Sequence, residues 1–186
     1  VLSFDVLVLV EDLEAEFRPQ AEAKNLLFEV VLDPGLSRFV DGDEHKLRQI
    51  LANLLGNAIK FTRTGGIRWS VKARPEPGRS IWLETEVMDT GVGMSEEEIQ
   101  SLGQPFHQTN SGRRSGTGTG LGLALSQRLA SLMGGKLAAR RGSGGGSVFS
   151  LVVPLETSSD TPQEVFCQPC RVFERRQGQR TFRVLV

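Results

Sequence analysis

Asn53, Asn57 and Lys60 stand at i, i+4 and i+7 of the stretch DEHKLRQILANLLGNAIKFT (43–62). At about 100° per residue, a helix gathers these three into one stripe beside an apolar face. Asparagine is a mediocre helix former. Two in register suggest a ligand as readily as a solvated face. A second constellation is MDTGVGM (88–94). Asp89 ends a strand pattern, and Gly91 and Gly93 follow two residues apart. The bland reading is a tight turn. The chemical reading is a carboxylate aimed at a ligand N–H, with glycines letting the backbone lie close beside it.

The third feature is SGRRSGTGTGLGL (111–123), with five glycines. It does not match G-x-x-x-x-G-K-[ST], because no Gly-Lys-Ser/Thr occurs. Nor does it match the dinucleotide fingerprint: counted from Gly116, Gly118 or Gly120, the third glycine position is leucine. What remains is general. Glycines let backbone approach an anion, and a helix starting near Gly120 would present free N–H groups and a positive dipole end. A flexible linker is the alternative. A linker would not lead straight into LGLALSQRLASLM, where leucines 121, 125, 129 and 132 read as a buried helix face.

These residues need elements to hold them. Leu9, Leu13, Phe17 and Ala21 predict a helix over 5–24, capped by Asp5. LLFEVVLD (26–33) predicts a strand. Leu47, Ile50, Leu51, Leu54, Leu55, Ala58 and Ile59 make 43–62 the strongest helix. Strands are predicted at 67–74, 81–88, 136–141 and 147–153, the last pair joined by GSGGG. Ser95 with Glu98 is a capping-box signature for a short helix. The sum is an α+β pattern, with strands on one side and three longer helices on the other.

Composition narrows the function classes. The 186 residues carry 22 Lys plus Arg against 22 Asp plus Glu, which gives no electrostatic case for nucleic acid or an anionic membrane. No apolar run reaches the ~20 residues of a membrane span. Two cysteines argue against a disulfide framework and for a reducing compartment. The start lacks Met and a signal-peptide pattern and begins in mid-pattern, which reads as a fragment of a longer protein.

NLLGNAIKFT, DTGVGM, QPFHQ, GTGLGLALS and GGGSVFSLVVP occur in that order. Together they resemble the N, G1, F, G2 and G3 boxes of the ATP-binding catalytic domain of sensor histidine kinases. The resemblance runs over roughly residues 3–155. It implies the Bergerat fold: an α+β two-layer sandwich, a mixed sheet backed by three main helices, with a mobile ATP lid. It implies ATP and Mg²⁺ as cofactors, with Asn57 as metal ligand and Lys60 supplying charge to the phosphates. Phe61 would pack on adenine, and Asp89 would accept from its exocyclic amine, supported by Ser147. Gly91 and Gly93 would make room for the base. Phe106 would anchor the lid. Gly118, Gly120, Leu121, Gly122 and Leu123 would shape the hinge and helix start. Arg114, then Arg113, would bring charge to the γ-phosphate. In hydrolysing relatives a Glu stands four residues before the metal Asn. Here that residue is Asn53, a poor general base, which favours a kinase that keeps ATP for its acceptor.

The lid departs from the hybrid-kinase pattern, with Ser115 at a Lys place, Gly116 at an aromatic place and Thr117 for one glycine. The acceptor histidine would lie on a separate dimerisation domain. His45 and His107 read as ordinary surface and lid residues. The domain is expected over 1–155 and an interdomain linker over 156–180. Residues 181–186, within RTFRVLV, resemble the first strand of a receiver domain, which would make the parent a hybrid kinase. CQPC (167–170) lacks the second ligand pair a zinc site needs. Implied partners are the dimerisation domain of a homodimeric parent and a receiver domain. The implied location is cytoplasmic, with any membrane anchor outside this chain. The rivals are a serine kinase of the anti-sigma-factor type and a regulatory module that binds nucleotide without transferring phosphate.

Overall fold

The computed structural model describes residues 2–78, 80–100 and 122–158. In chain order they form β1 (Leu2–Asp5), α1 (Val6–Glu22), β2 (Leu27–Leu32), β3 (Phe39–Gly42), α2 (Glu44–Phe61), β4 (Gly66–Pro75), β5 (Ser80–Asp89), α3 (Glu96–Gln100), α4 (Gly122–Leu132), β6 (Lys136–Arg141) and β7 (Ser147–Thr157). Asp5 caps α1 by accepting from the Leu7 and Val8 N–H groups at 2.9 and 3.4 Å. Ser95 and Glu98 close their capping box reciprocally, at 2.8 and 3.2 Å. The seven apolar residues predicted for α2 are the seven it buries.

The strands form one mixed sheet in the order β1-β3-β7-β5-β4-β2, with β6 also on β7. The β2–β4 pair is parallel and the other pairs are antiparallel. Inward residues of β4, β5 and β7, among them Trp69, Leu83 and Leu151, join the buried faces of α1, α2 and α4 in one core. Trp69 is fully buried, and its indole N–H donates to Thr85 Oγ1 at 2.8 Å. No helix among the described residues is long and apolar enough to cross a membrane.

Three features differ from the sequence reading. β1 and β3 are extra strands of four residues each, too short to show alternation. β7 runs through Pro154 to Thr157 instead of stopping at 153. β6 pairs with β7 up to Val152 and β3 begins at Glu156, so Pro154 falls where one edge of β7 is open and a missing donor is tolerated. The buried face of α4 is not the leucine stripe. Leu125 is 46% and Leu132 60% exposed, while Ser126, Leu129 and Ala130 face the core. The leucine stripe is turned roughly a quarter of a helical turn from the buried one, and the two share only Leu129. Leu121 lies outside the described residues.

Candidate functional site

The last three turns of α2 bring the predicted polar stripe to one place. Asn57 Nδ2 donates to Asn53 Oδ1 at 3.3 Å, one turn below. Asn53 Nδ2 donates in turn to Ser126 Oγ of α4 at 2.9 Å. The start of α4 lies so close that a Cβ at Gly122 would collide with Asn53 Oδ1. That close approach explains the glycine better than any special backbone angle. Leu123, the next residue, packs partly buried against the core. Lys60 Nζ lies 5.0 Å from the centre of the Phe61 ring, a cation–π distance.

One turn beyond Asn57, α2 meets the loop after β5. A Cβ at Gly91 would stand 2.5 Å from the Phe61 carbonyl oxygen and 2.9 Å from Asp89 Oδ1, so this contact admits glycine alone. Asp89, at the end of β5, is 3% exposed. Its Oδ1 accepts the Gly91 N–H at 2.8 Å and the Ser147 N–H at 3.3 Å. Burial raises the carboxyl's pKa above the ordinary value, and the donors from Gly91 and Ser147, including the Ser147 hydroxyl, oppose the rise. A carboxylate accepts along about four lone-pair directions. Three protein donors therefore leave capacity for a ligand N–H.

The loop is fixed from the other side by the β6–β7 hairpin. Gly93 and Gly146 both take positive φ, 70° and 71°. They abut closely: a Cβ on Gly93 would lie 2.8 Å from the Gly146 carbonyl oxygen. A Cβ on Gly146 would run into the Asp89 carbonyl.

The structure thus brings together Asn53, Asn57 and Gly122, with Leu123 next along α4, and, at the C-terminal end of α2, Phe61, Asp89, Gly91, Gly93 and Ser147, with Lys60 beside Phe61. Phe106, Arg113, Arg114, Gly118, Gly120 and Leu121 lie outside the described residues. Sequence reading missed Ser126 and Gly146. The signal for Ser126 was a hydroxyl beside Leu129 and Ala130, hidden by the leucines at 125 and 132.

The donor set fits a metal that arrives with its phosphates. Among the described residues no group of three or more His, Cys, Asp or Glu gathers. Asn57 offers one neutral oxygen, its nitrogen being engaged by Asn53. Mg²⁺ takes oxygen ligands and retains waters, so one amide oxygen suffices if phosphate oxygens supply the rest.

Comparison with known proteins agrees with the fold. Residues 42–157, more than half the chain, match the family model described as histidine kinase-, DNA gyrase B- and HSP90-like ATPase. The chain belongs to that family, and its α+β mixed sheet is the Bergerat fold. It is 35% identical to hybrid signal transduction histidine kinase C of Dictyostelium discoideum, over 89% of this chain and 14% of the relative. It is 36% identical to sensor protein GacS of Pseudomonas syringae pv. syringae, over 88% of this chain and 18% of the relative. The chain therefore spans less than a fifth of the length of these relatives. Among solved structures, full-length ShkA in complex with AMPPNP superimposes with a TM-score of 0.68 at 29% identity, covering 84% of this chain and 31% of that one. The mycobacterial sensor histidine kinase MprB gives 0.67 at 23%, covering 84% of this chain and all of that one, a likeness of fold.

Proposed function

We propose that this chain binds Mg²⁺-ATP and supplies its γ-phosphoryl group to a histidine on a separate dimerisation domain. The observation that carries the reading is the buried Asp89 in its glycine cradle, which packs through Gly91 against the C-terminal end of α2, the helix that carries the two amides. A carboxylate held by backbone N–H groups accepts from the exocyclic amine of adenine. Guanine offers a carbonyl at that place and is repelled. Gly91 leaves the base room, and Phe61 gives it an apolar surface. Asn57 would hold the metal, whose charge offsets that of the phosphates. Lys60, now over the Phe61 ring, would swing off it to meet the same anionic group. Arg114 and Arg113 are proposed to support the γ-phosphate from the lid, with Phe106 as the lid's anchor. Gly118, Gly120 and Leu121 would form its hinge.

In the transfer, an imidazole nitrogen attacks through its lone pair, the bond from γ-phosphorus to the ADP oxygen breaks as the P–N bond forms, and the other ring nitrogen gives its proton to a base of the acceptor domain or to water. Asn53 is no base for water, because an amide is barely basic; its nitrogen donates to Ser126 and its oxygen accepts from Asn57. The longer relatives support a parent of the hybrid type, with 181–186 opening a receiver domain and a linker that starts after Ser158 and not at 156, because Glu156 and Thr157 belong to β7. Such a parent dimerises through its histidine domain and works where ATP is, in the cytoplasm.

Nucleotide binding with and without Mg²⁺ tests the reading. Asn57→Ala should weaken Mg²⁺-ATP at least about tenfold, as expected for a lost charge-assisted contact, and leave metal-free ATP nearly unchanged. An equal loss for both would remove the metal assignment. Incubation with the parent's dimerisation domain and labelled ATP tests transfer: binding without transfer would favour a regulatory module.

A further inference from the structure

We infer that Ser126 is a positioning residue: its buried hydroxyl anchors a hydrogen-bond relay that holds the oxygen of Asn57 toward the metal. The inference rests on the metal-site reading above. A primary amide can present either its oxygen or its NH₂ by turning about its last torsion, and a cation accepts only the oxygen. What decides for Asn57 is the partner of its nitrogen, which is Asn53 Oδ1. Asn53 faces the same choice, and its nitrogen is held by Ser126 Oγ at 2.9 Å. The relay therefore has one polarity, running from the Asn57 nitrogen to the serine oxygen. With the Ser126 oxygen gone, the Asn53 nitrogen loses its buried acceptor, and the amide that holds the Asn57 nitrogen is no longer anchored.

Three observations make Ser126 suited to this. It is 1% exposed, so water cannot readily replace it. It is the polar member of the buried α4 stripe otherwise made of Leu129 and Ala130. It stands one turn after Gly122, whose bare Cα lets α4 lie against Asn53 Oδ1. The position of α4, the helix that follows the glycine-rich stretch of the sequence, is thereby read at the metal ligand without Ser126 touching nucleotide.

The test is calorimetric binding of ATP to the full chain, in EDTA and in Mg²⁺, for Ser126→Ala, Asn53→Ala, the double variant and Asn57→Ala. Ser126→Ala should weaken Mg²⁺-ATP about 3- to 10-fold, the worth of one hydrogen bond, with metal-free ATP within about twofold. In the Asn53→Ala background, Ser126→Ala should add nothing further, because the relay is already cut. Ser126→Cys, which keeps the shape with a weak acceptor, carries the same expectation should the alanine variant not fold. Equal losses with and without metal, no loss, or additive losses in the double variant would overturn the relay. If Asn57→Ala shows the metal-selective loss and Ser126→Ala does not, the relay alone falls. If Asn57→Ala lacks it too, the metal reading falls and takes the relay with it.

Discussion

Asp89 keeps a carboxylate where solvent barely reaches, and that costs the fold something the site uses. Its raised pKa, due first to burial, means the native state holds the proton to higher pH than the unfolded chain does. The sign follows: as pH rises from the ordinary value of 3.8 through the higher native value, Asp89 subtracts stability. Asp89→Asn should remove that slope, so the stability of the variant relative to the parent should increase with pH across the window. Urea unfolding at several pH values between 4 and 7 measures it. The same variant should lose ATP-over-GTP discrimination, and unchanged discrimination in competition binding would show that another group reads the base. Gly146→Ala, whose Cβ would strike the Asp89 carbonyl at a positive φ, should displace Asp89 and weaken ATP with or without metal. That pattern is distinct from the metal-selective one expected of Asn57.

At the scale of elements, strands β4 and β5 are joined by more than their ladder. The Trp69 indole donates to Thr85 Oγ1, and Thr85 passes its own proton to the Ser70 carbonyl at 3.0 Å. Thr85→Val keeps the volume and strands the buried indole N–H. A loss of about 1–3 kcal/mol in unfolding free energy is expected, with ATP affinity little changed, since Thr85 lies four residues before Asp89, the residue proposed to meet the base. Helix α1 depends on Asp5, which caps it and also receives Arg38 Nε at 2.7 Å. Asp5→Ala should cost about 1 kcal/mol in the same measurement.

For the whole molecule, the C-terminal reach of β7 decides where the domain can be cut. Leu155 is buried against Gly42 and Phe4. Glu156 and Thr157 pair with β3, and the Ser158 N–H donates to the Phe39 carbonyl at 3.1 Å. A chain ending at Ser158 should fold and bind ATP like the full chain. One ending at Val153 should lose at least about 2–5 kcal/mol, the cost of removing a buried leucine, and melt lower by circular dichroism. Equal melting of the two would show that the end of β7 and its pairing with β3 are dispensable.

The residues by themselves determined a great deal. Apolar spacing marked both long helices, because burying one face of a 3.6-residue repeat needs no knowledge of the partner. The Asn53–Asn57–Lys60 stripe and the Asp89–Gly91–Gly93 run were legible because their chemistry is unusual for a helix and a strand end. Spacing did not determine which face of α4 is buried, since leucines at 121, 125, 129 and 132 form a plausible stripe on their own. Only packing against α2 selects the face that carries Ser126. The need for glycine at 122 and 146 was equally hidden, since it comes from backbone and side chains more than fifty residues away in sequence. Pro154 read as a stop because a proline removes a donor. The sheet order decides that at this place β7 has an open edge. Local periodicity is written into each segment, whereas contacts between segments exist only once the chain has closed on itself.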